Sequence, residues 1–387
     1  MKRLGDVYKE ICSFDNLYLA YRNAKKGKGW YREIQMIEER PYYYLAALKW
    51  ELQNHLYKTS DYTSFIKHEA SLNKDRKIYK LPFFPDRIVQ WAIMQVIAPE
   101  ILKNLISDTY SAIPDRGIHK AFYKIRDVVD YHPEEMTFCF KGDGKKYYPS
   151  VDHEILKAKF RRKWKDPELL KALDEIIDSI STCPATEENV LYYKKVHGCD
   201  PVIIVGSDGE LYIEGIGLPI GNYFSQWAGN FYFSALDHYI KEVLHVKHYY
   251  RYMDDICIFS DSKEELHDIM IKVSEFMDKE MHIRLKENWQ IFPSYDRGID
   301  FVGYRIFEDY TLLRKSTYKA MRKKMSYIKT KVESGHMMNY SEWCSINSYE
   351  GWLKHANCKK LTDKYITPLK PYADNYYNNI IKRKAAA

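Results

Sequence analysis

Tyr250-Arg251-Tyr252-Met253-Asp254-Asp255-Ile256-Cys257-Ile258-Phe259 places two carboxylates between two short runs of apolar and aromatic residues. The runs, His248 to Tyr252 and Ile256 to Phe259, read as strands, and the junction as a tight hairpin. An Asp pair alone is an ordinary turn signal. These flanks give it a second meaning. Two like charges held at the tip of a buried hairpin repel each other, and a divalent cation offsets the repulsion.

A third carboxylate has a matching setting. Asp143 follows the strand-like Thr137 to Lys141 (TFCFK) and precedes Lys145-Lys146-Tyr147-Tyr148-Pro149-Ser150-Val151. An acid leaving one strand can meet a hairpin tip on neighbouring strands. The result is an open cluster of oxygen ligands, which suits Mg²⁺ and leaves room for water and phosphates. Two such ions can activate a 3′-hydroxyl and stabilise a leaving pyrophosphate. Phosphoryl transfer asks little more of a protein than positioning and charge.

Outward from this centre, Leu17 to Lys26, Pro41 to Leu56, Asp86 to Leu105, His153 to Arg162, Pro167 to Ser179, Asn222 to Val243 and Lys263 to Lys279 read as helices. Asp166-Pro167 marks one helix start. Strands are expected at Tyr62 to Ile66, Ile78 to Leu81 and Ile299 to Phe307, and around the Ser207-Asp208-Gly209 turn. Residues 181 to 216 otherwise look irregular. From Ser316 the chain is basic and mostly helical. The mixture predicts an α+β protein.

The net charge is +7, and basic residues cluster at Lys25 to Lys28, Lys157 to Lys165, Arg314-Lys315, Arg322 to Lys324 and Lys382 to Lys384. Each cluster suits a phosphate backbone, and each equally suits a solvated helix face. The 7 cysteines are odd in number and include no C-x-x-C, so free thiols are expected rather than disulfides or a cysteine-held zinc. No apolar run is long enough for a membrane span, and the N-terminus does not read as a signal peptide. A cytoplasmic location is expected.

Tyr252-Met253-Asp254-Asp255 resembles the YxDD motif of reverse transcriptases. Further blocks resemble that family in the same order. Asp143 to His153 is similar to the first palm motif of bacterial members, and Pro82 to Gln90 to the preceding fingers segment. Gly298 to Tyr304 is similar to the primer-grip region, and Ser348-Tyr349-Glu350-Gly351-Trp352-Leu353-Lys354-His355-Ala356 to a thumb segment. Gly217-Leu218-Pro219-Ile220-Gly221-Asn222-Tyr223-Phe224-Ser225-Gln226 resembles the block of diversity-generating-retroelement reverse transcriptases, a look shared by some bacterial antiphage defence enzymes.

The resemblance implies a right-hand polymerase fold. N-terminal helices and fingers would occupy residues 1–135. The palm, with an antiparallel sheet carrying the YMDD hairpin, would occupy 136–312, with a fingers insertion at about 160–216. A helical thumb would occupy 313–387. It implies RNA-directed DNA synthesis on a noncoding-RNA template. Asp143, Asp254 and Asp255, with the Gly144 backbone, would hold two Mg²⁺, or Mn²⁺ in their place. Tyr148 matches the aromatic gate against a 2′-hydroxyl, which predicts dNTP use. Arg76 and Lys77 match the residues that hold the triphosphate. Ile220 would lie against the nucleotide where many relatives carry Gln, and Gln226 near the templating base. Asn288 stands where the family usually has lysine, which leaves Lys286 as the candidate general acid. No nuclease or integrase module is read, so an accessory protein or an oligomer is an expected partner. An RNA-dependent RNA polymerase and a non-catalytic RNA-binding scaffold are the competing readings. A bacterial or phage origin is expected.

Overall fold

The computed structural model describes residues 3–69 and 74–381. Its strands, in chain order, are β1 (Thr63–Glu69), β2 (Lys74–Lys80), β3 (Phe138–Asp143), β4 (Ile203–Val205), β5 (Leu211–Ile213), β6 (His248–Tyr252), β7 (Asp255–Ser260), β8 (Gln290–Pro293), β9 (Ile299–Phe301), β10 (Tyr304–Ile306) and β11 (Thr311–Leu313). The central sheet has the order β6-β7-β3-β8 and is antiparallel throughout. β9, β10 and β11 form a second sheet, and β1-β2 and β4-β5 are separate hairpins.

Side chains alternate across a strand, and both faces of the central sheet are apolar. Phe140, Tyr249, Ile256 and Ile258 enter one core, while Cys139, Tyr250, Cys257, Phe259 and Phe292 enter another. The first core is built from helices that include Phe14–Lys25, Ile88–Leu102, Tyr223–His238 and Lys263–Met281. The Tyr223–His238 helix is buried on almost every side, its polar Asn230 and Asp237 included. The second core packs helix Ile118–Tyr131 against β9 to β11 and the C-terminal helices Lys315–Glu333 and Tyr340–Leu353. The sheet therefore sits between two cores, and its hairpin end opens between them.

The expected α+β character holds. Asp166 starts the helix Pro167–Asp178, its Oδ1 accepting the Glu168 and Leu169 N–H groups. Its Oδ2 also accepts from the Val7 and Tyr8 N–H groups, so one carboxylate caps two chain segments. The Asn222 to Val243 expectation is met by an α-helix to His238 followed by a wider turn, Tyr239–Val243. The helix expected from Asp86 begins at Ile88 and ends at Leu102. Two expectations need correction, and one element was missed. Residues 181–216 are not merely irregular: Glu187–His197 is a helix, capped by the Thr186 hydroxyl and closed by Gly198 at φ 72°. The strand expected from Ile299 to Phe307 is two strands, folded at Val302 and Gly303, with φ of 43° and 88°. The helix Ile118–Tyr131 was not expected. All seven cysteines are free, and no described helix is long and apolar enough to cross a membrane.

Candidate active site

β6 ends at Tyr252 and β7 begins at Asp255, and these two residues pair across the ladder, leaving Met253 and Asp254 as a two-residue loop. Met253 adopts φ 58°, a conformation that side chains with a Cβ rarely take. Arg251 holds it there. Its Nη1 donates to the Met253 carbonyl at 2.8 Å and to Asn230 Oδ1 at 3.0 Å. Its Nε and Nη2 clamp both Asp237 oxygens at 2.7 Å, and neither side chain of this ion pair is exposed. Tyr249 donates to the same carboxylate. Burial works against the Arg251 charge, and the adjacent Asp237 carboxylate outweighs it, holding the guanidinium above its usual range.

β3 runs antiparallel to β7 with Asp143 opposite Asp255, so the predicted third carboxylate stands beside the hairpin tip. Beyond Asp143 the chain continues along Arg284 to Lys286. The Lys145 N–H donates to the Arg284 carbonyl (2.8 Å), and the Lys286 N–H donates to the Asp143 carbonyl (2.9 Å). Gly144 bridges to Leu285. The Lys286 ammonium sits on the Asp143 carboxylate. Asp143, Asp254 and Asp255 do not bring their carboxylate oxygens within 4.8 Å of one another.

Burial and like charge raise both carboxylates of the hairpin tip. Asp254 is pushed up to about 6, first by burial and then by the Asp143 and Asp255 charges. Asp255 is also raised by burial, while Lys141 and Arg314 pull it back. Lys141 Nζ lies 3.6 Å from Asp255 and 3.9 Å from Asp300. Arg314 Nε donates to Asp300 at 2.5 Å. The donor set of the three aspartates is all oxygen, with a lysine ammonium standing in for one cationic charge. Such a set fits divalent cations of the Mg²⁺ type.

A cleft of about 1280 Å³ opens here. Its walls include Asp254, Asp255, Gly144 and Lys286, the predicted Arg76, Lys77, Tyr148 and Ile220, and from the C-terminal side Arg314, Thr317, Tyr349 and Trp352. Tyr148 packs its ring against Gly229 and directs its hydroxyl at Met253 Sδ, 3.6 Å away. Burial, reinforced by Asp254, keeps it a neutral phenol. The Ile220 carbonyl accepts the Tyr79 N–H at 2.8 Å, and a Cβ at Gly221 would meet the Tyr79 carbonyl at 2.8 Å. The loop 217–221 is therefore seated on β2. Lys77 is held by Asp208 (2.5 Å) and the Tyr212 hydroxyl (2.7 Å). Gln226 is exposed on the first turn of its helix and does not line the cleft.

Residues 66–306 match the family model described as reverse transcriptase (RNA-dependent DNA polymerase). The chain belongs to the reverse transcriptase family. It is thus an RNA-directed DNA polymerase, a nucleotidyltransferase whose template is RNA and whose product is DNA. The family's right-hand polymerase architecture and its general use of divalent cations come with membership. Among curated proteins none matches the chain.

In this reverse transcriptase the reading of motifs missed the residues that hold the motif in shape. Arg251 and Asp237 were the principal omission. The available signal was a charge inside an otherwise apolar strand and another inside the apolar run Phe231 to Tyr239, since buried charges require partners. Lys141, Asp300 and Arg314 were missed for a different reason. They meet only through the pairing of three separate segments.

Proposed function

We propose that the reverse transcriptase copies a dedicated noncoding RNA into DNA, using dNTPs and two Mg²⁺ ions held by Asp143, Asp254 and Asp255. The observation that carries the reading is the β3–β7 register, which sets Asp143 opposite Asp255 next to the hairpin tip, beside a cleft lined by Asp254, Asp255, Arg76 and Lys77. When bound, the ions supply activation of the primer hydroxyl and neutralisation of the departing pyrophosphate. The side chains do the rest. Lys77 and Arg76 orient the triphosphate, once Lys77 exchanges Asp208 for phosphate. Tyr148 lies where a 2′-hydroxyl would project and excludes it by bulk. Ile220 offers an apolar wall that cannot hydrogen-bond the nucleotide, which favours loose selection. Lys286, whose ammonium pairs with Asp143, would be the residue that hands a proton to pyrophosphate. In this scheme residues 1–135 supply the fingers, 136–312 the palm with its insertion at about 160–216, and 313–387 the thumb. The biological setting is a retroelement or antiphage defence of a bacterium or phage, with an accessory protein or a second copy as partner.

The test is incorporation of labelled dNTPs or NTPs by the purified chain with Mg²⁺, with and without its co-purifying RNA, beside an Asp254→Ala/Asp255→Ala control. DNA product that requires the RNA and vanishes in the control supports the proposal. Preferential use of NTPs would overturn the role of Tyr148. Tight RNA binding with no product on any template would favour the scaffold reading.

A further inference from the structure

Away from the cleft, two histidines from remote parts of the chain converge on one aspartate oxygen. Asp152 caps the helix His153–Lys163. Its Oδ1 is occupied by the Glu154 and Ile155 N–H groups, at 2.9 and 3.2 Å. Its Oδ2 is turned the other way, where His282 Nδ1 lies at 2.9 Å and His197 Nε2 at 3.2 Å. All three donor atoms lie within 4.8 Å of one another. We propose that Asp152, His197 and His282 form a binding site for a divalent transition-metal ion, with zinc as its natural occupant, distinct from the aspartates of the cleft.

The geometry and the donor set favour this occupant. Zinc binds imidazole nitrogen and carboxylate oxygen at about 2.0–2.1 Å in a tetrahedral array, which separates neighbouring ligand atoms by about 3.4 Å. The two histidine–carboxylate separations lie just inside that spacing. One carboxylate and two imidazoles suit zinc and its first-row neighbours, whereas Mg²⁺ prefers oxygen alone. The two imidazole rings stand at 72° to each other with centroids 4.7 Å apart, and the nitrogen that each turns toward Asp152 approaches the same carboxylate oxygen. The Tyr193 ring stacks on His197 at 4.0 Å and fixes its plane. His282 ends the helix Lys263–Met281 as its left-handed cap, at φ 49°, so its ring is presented at a fixed helix end. Asp152 is buried, while the histidine side chains are 22% and 20% exposed, which leaves the remaining coordination positions open to water.

The placement gives the ion a purpose. His197 ends the helix of the 181–216 segment, Asp152 follows the Asp143 loop, and His282 precedes the Arg284–Lys286 stretch that pairs with it. A bound ion would fasten the inserted helix to both chain segments that shape the active-site floor.

Metal content of the purified full-length chain, measured by mass spectrometry of the elements after exhaustive dialysis, tests this directly. About one zinc per chain is expected, retained in the Asp254→Ala/Asp255→Ala protein and reduced at least tenfold in His197→Ala and His282→Ala. Asp152→Asn keeps the capping oxygen and removes the anionic ligand, so it separates loss of metal from loss of fold. Co²⁺ added to the metal-free wild-type chain should give the visible absorption of a tetrahedral nitrogen-ligated ion, and this should be absent in Asp152→Asn. Zn²⁺ should raise the thermal midpoint of the metal-free wild type only. No retained zinc, no cobalt bands and no zinc-dependent midpoint would overturn the proposal and leave a hydrogen-bonded cluster. Equal zinc in the wild type and the histidine variants would place the metal elsewhere and overturn it as well.

Discussion

Asp254, raised to about 6 by burial and then by its two carboxylate neighbours, binds protons more tightly in the folded chain than in the unfolded one. Its contribution therefore favours the fold at low pH and is lost as pH rises through 6. Divalent cations compete for the same oxygens. We expect the apparent Mg²⁺ affinity, read from polymerisation rates, to fall on the order of tenfold per pH unit below 6. A flat Mg²⁺ requirement between pH 5 and 7 would contradict the assignment. Lys286 makes a second prediction at this scale, because its ammonium already occupies Asp143. Lys286→Ala should lower the Mg²⁺ concentration needed for half-maximal activity several-fold. It should also slow the chemical step by about a hundredfold, the size of a lost general acid. Single-turnover kinetics over a Mg²⁺ series separate the two effects, and an unchanged rate at saturating Mg²⁺ would remove Lys286 from that role. The placement of the three aspartates was legible locally: Asp143 ends one apolar strand, Asp255 begins another, and Asp254 lies in the short loop just before it. Gln226 was placed by motif alignment alone. Motif spacing carries no information about which side of a helix lines a cleft, and this glutamine is exposed and not among the residues that line it.

The hairpin β6–β7 illustrates what becomes visible only when elements meet. Arg251 and Asp237 lie on a strand and a helix, and neither residue's local sequence names the other. Their pairing fixes the Met253 carbonyl and with it the loop that carries Asp254. Asp237→Ala should leave a buried guanidinium unpaired and cost about 3–5 kcal/mol in urea unfolding. Arg251→Met/Asp237→Leu should recover much of that stability, yet not the activity, because the carbonyl tether is gone. Recovery of both would show that the clamp has no part in shaping the tip. The same reasoning explains which elements were read correctly. Tyr223–His238 and Lys263–Met281 announce themselves through long apolar patterns. Glu187–His197 (EENVLYYKKVH) buries only Asn189. Its helicity rests on the Thr186 cap, the Gly198 stop and ion pairs such as Lys195–Asp278, all weak in a one-dimensional reading.

On the scale of the whole molecule, the two halves of the cleft are joined at Gly303. A Cβ there would lie 2.3 Å from the Trp352 ring, and the Tyr304 hydroxyl donates to the Trp352 carbonyl. Two blocks read separately in the sequence, Gly298 to Tyr304 and Ser348 to Ala356, thus form one joint. Gly303→Ala should displace Trp352 and loosen the helices Lys315–Glu333 and Tyr340–Leu353. The expected sign is faster amide exchange in those helices and shorter DNA products, with the β3–β7 ladder still protected. Uniform protection would show that the joint tolerates the methyl group. The ion pairs around the cleft have a consequence for how nucleic acid arrives. Lys77, Lys141, Lys145, Lys286 and Arg314 each already hold an internal carboxylate. A backbone phosphate reaching one of them trades places with a protein anion and releases little bulk salt. A single strand bound through free cations loses affinity with a logarithmic salt slope of about 0.7 per phosphate neutralised. For this enzyme, RNA affinity titrated against KCl should give a much shallower slope than its count of phosphate contacts. Its grip on template would then persist at ionic strengths that strip ordinary basic grooves.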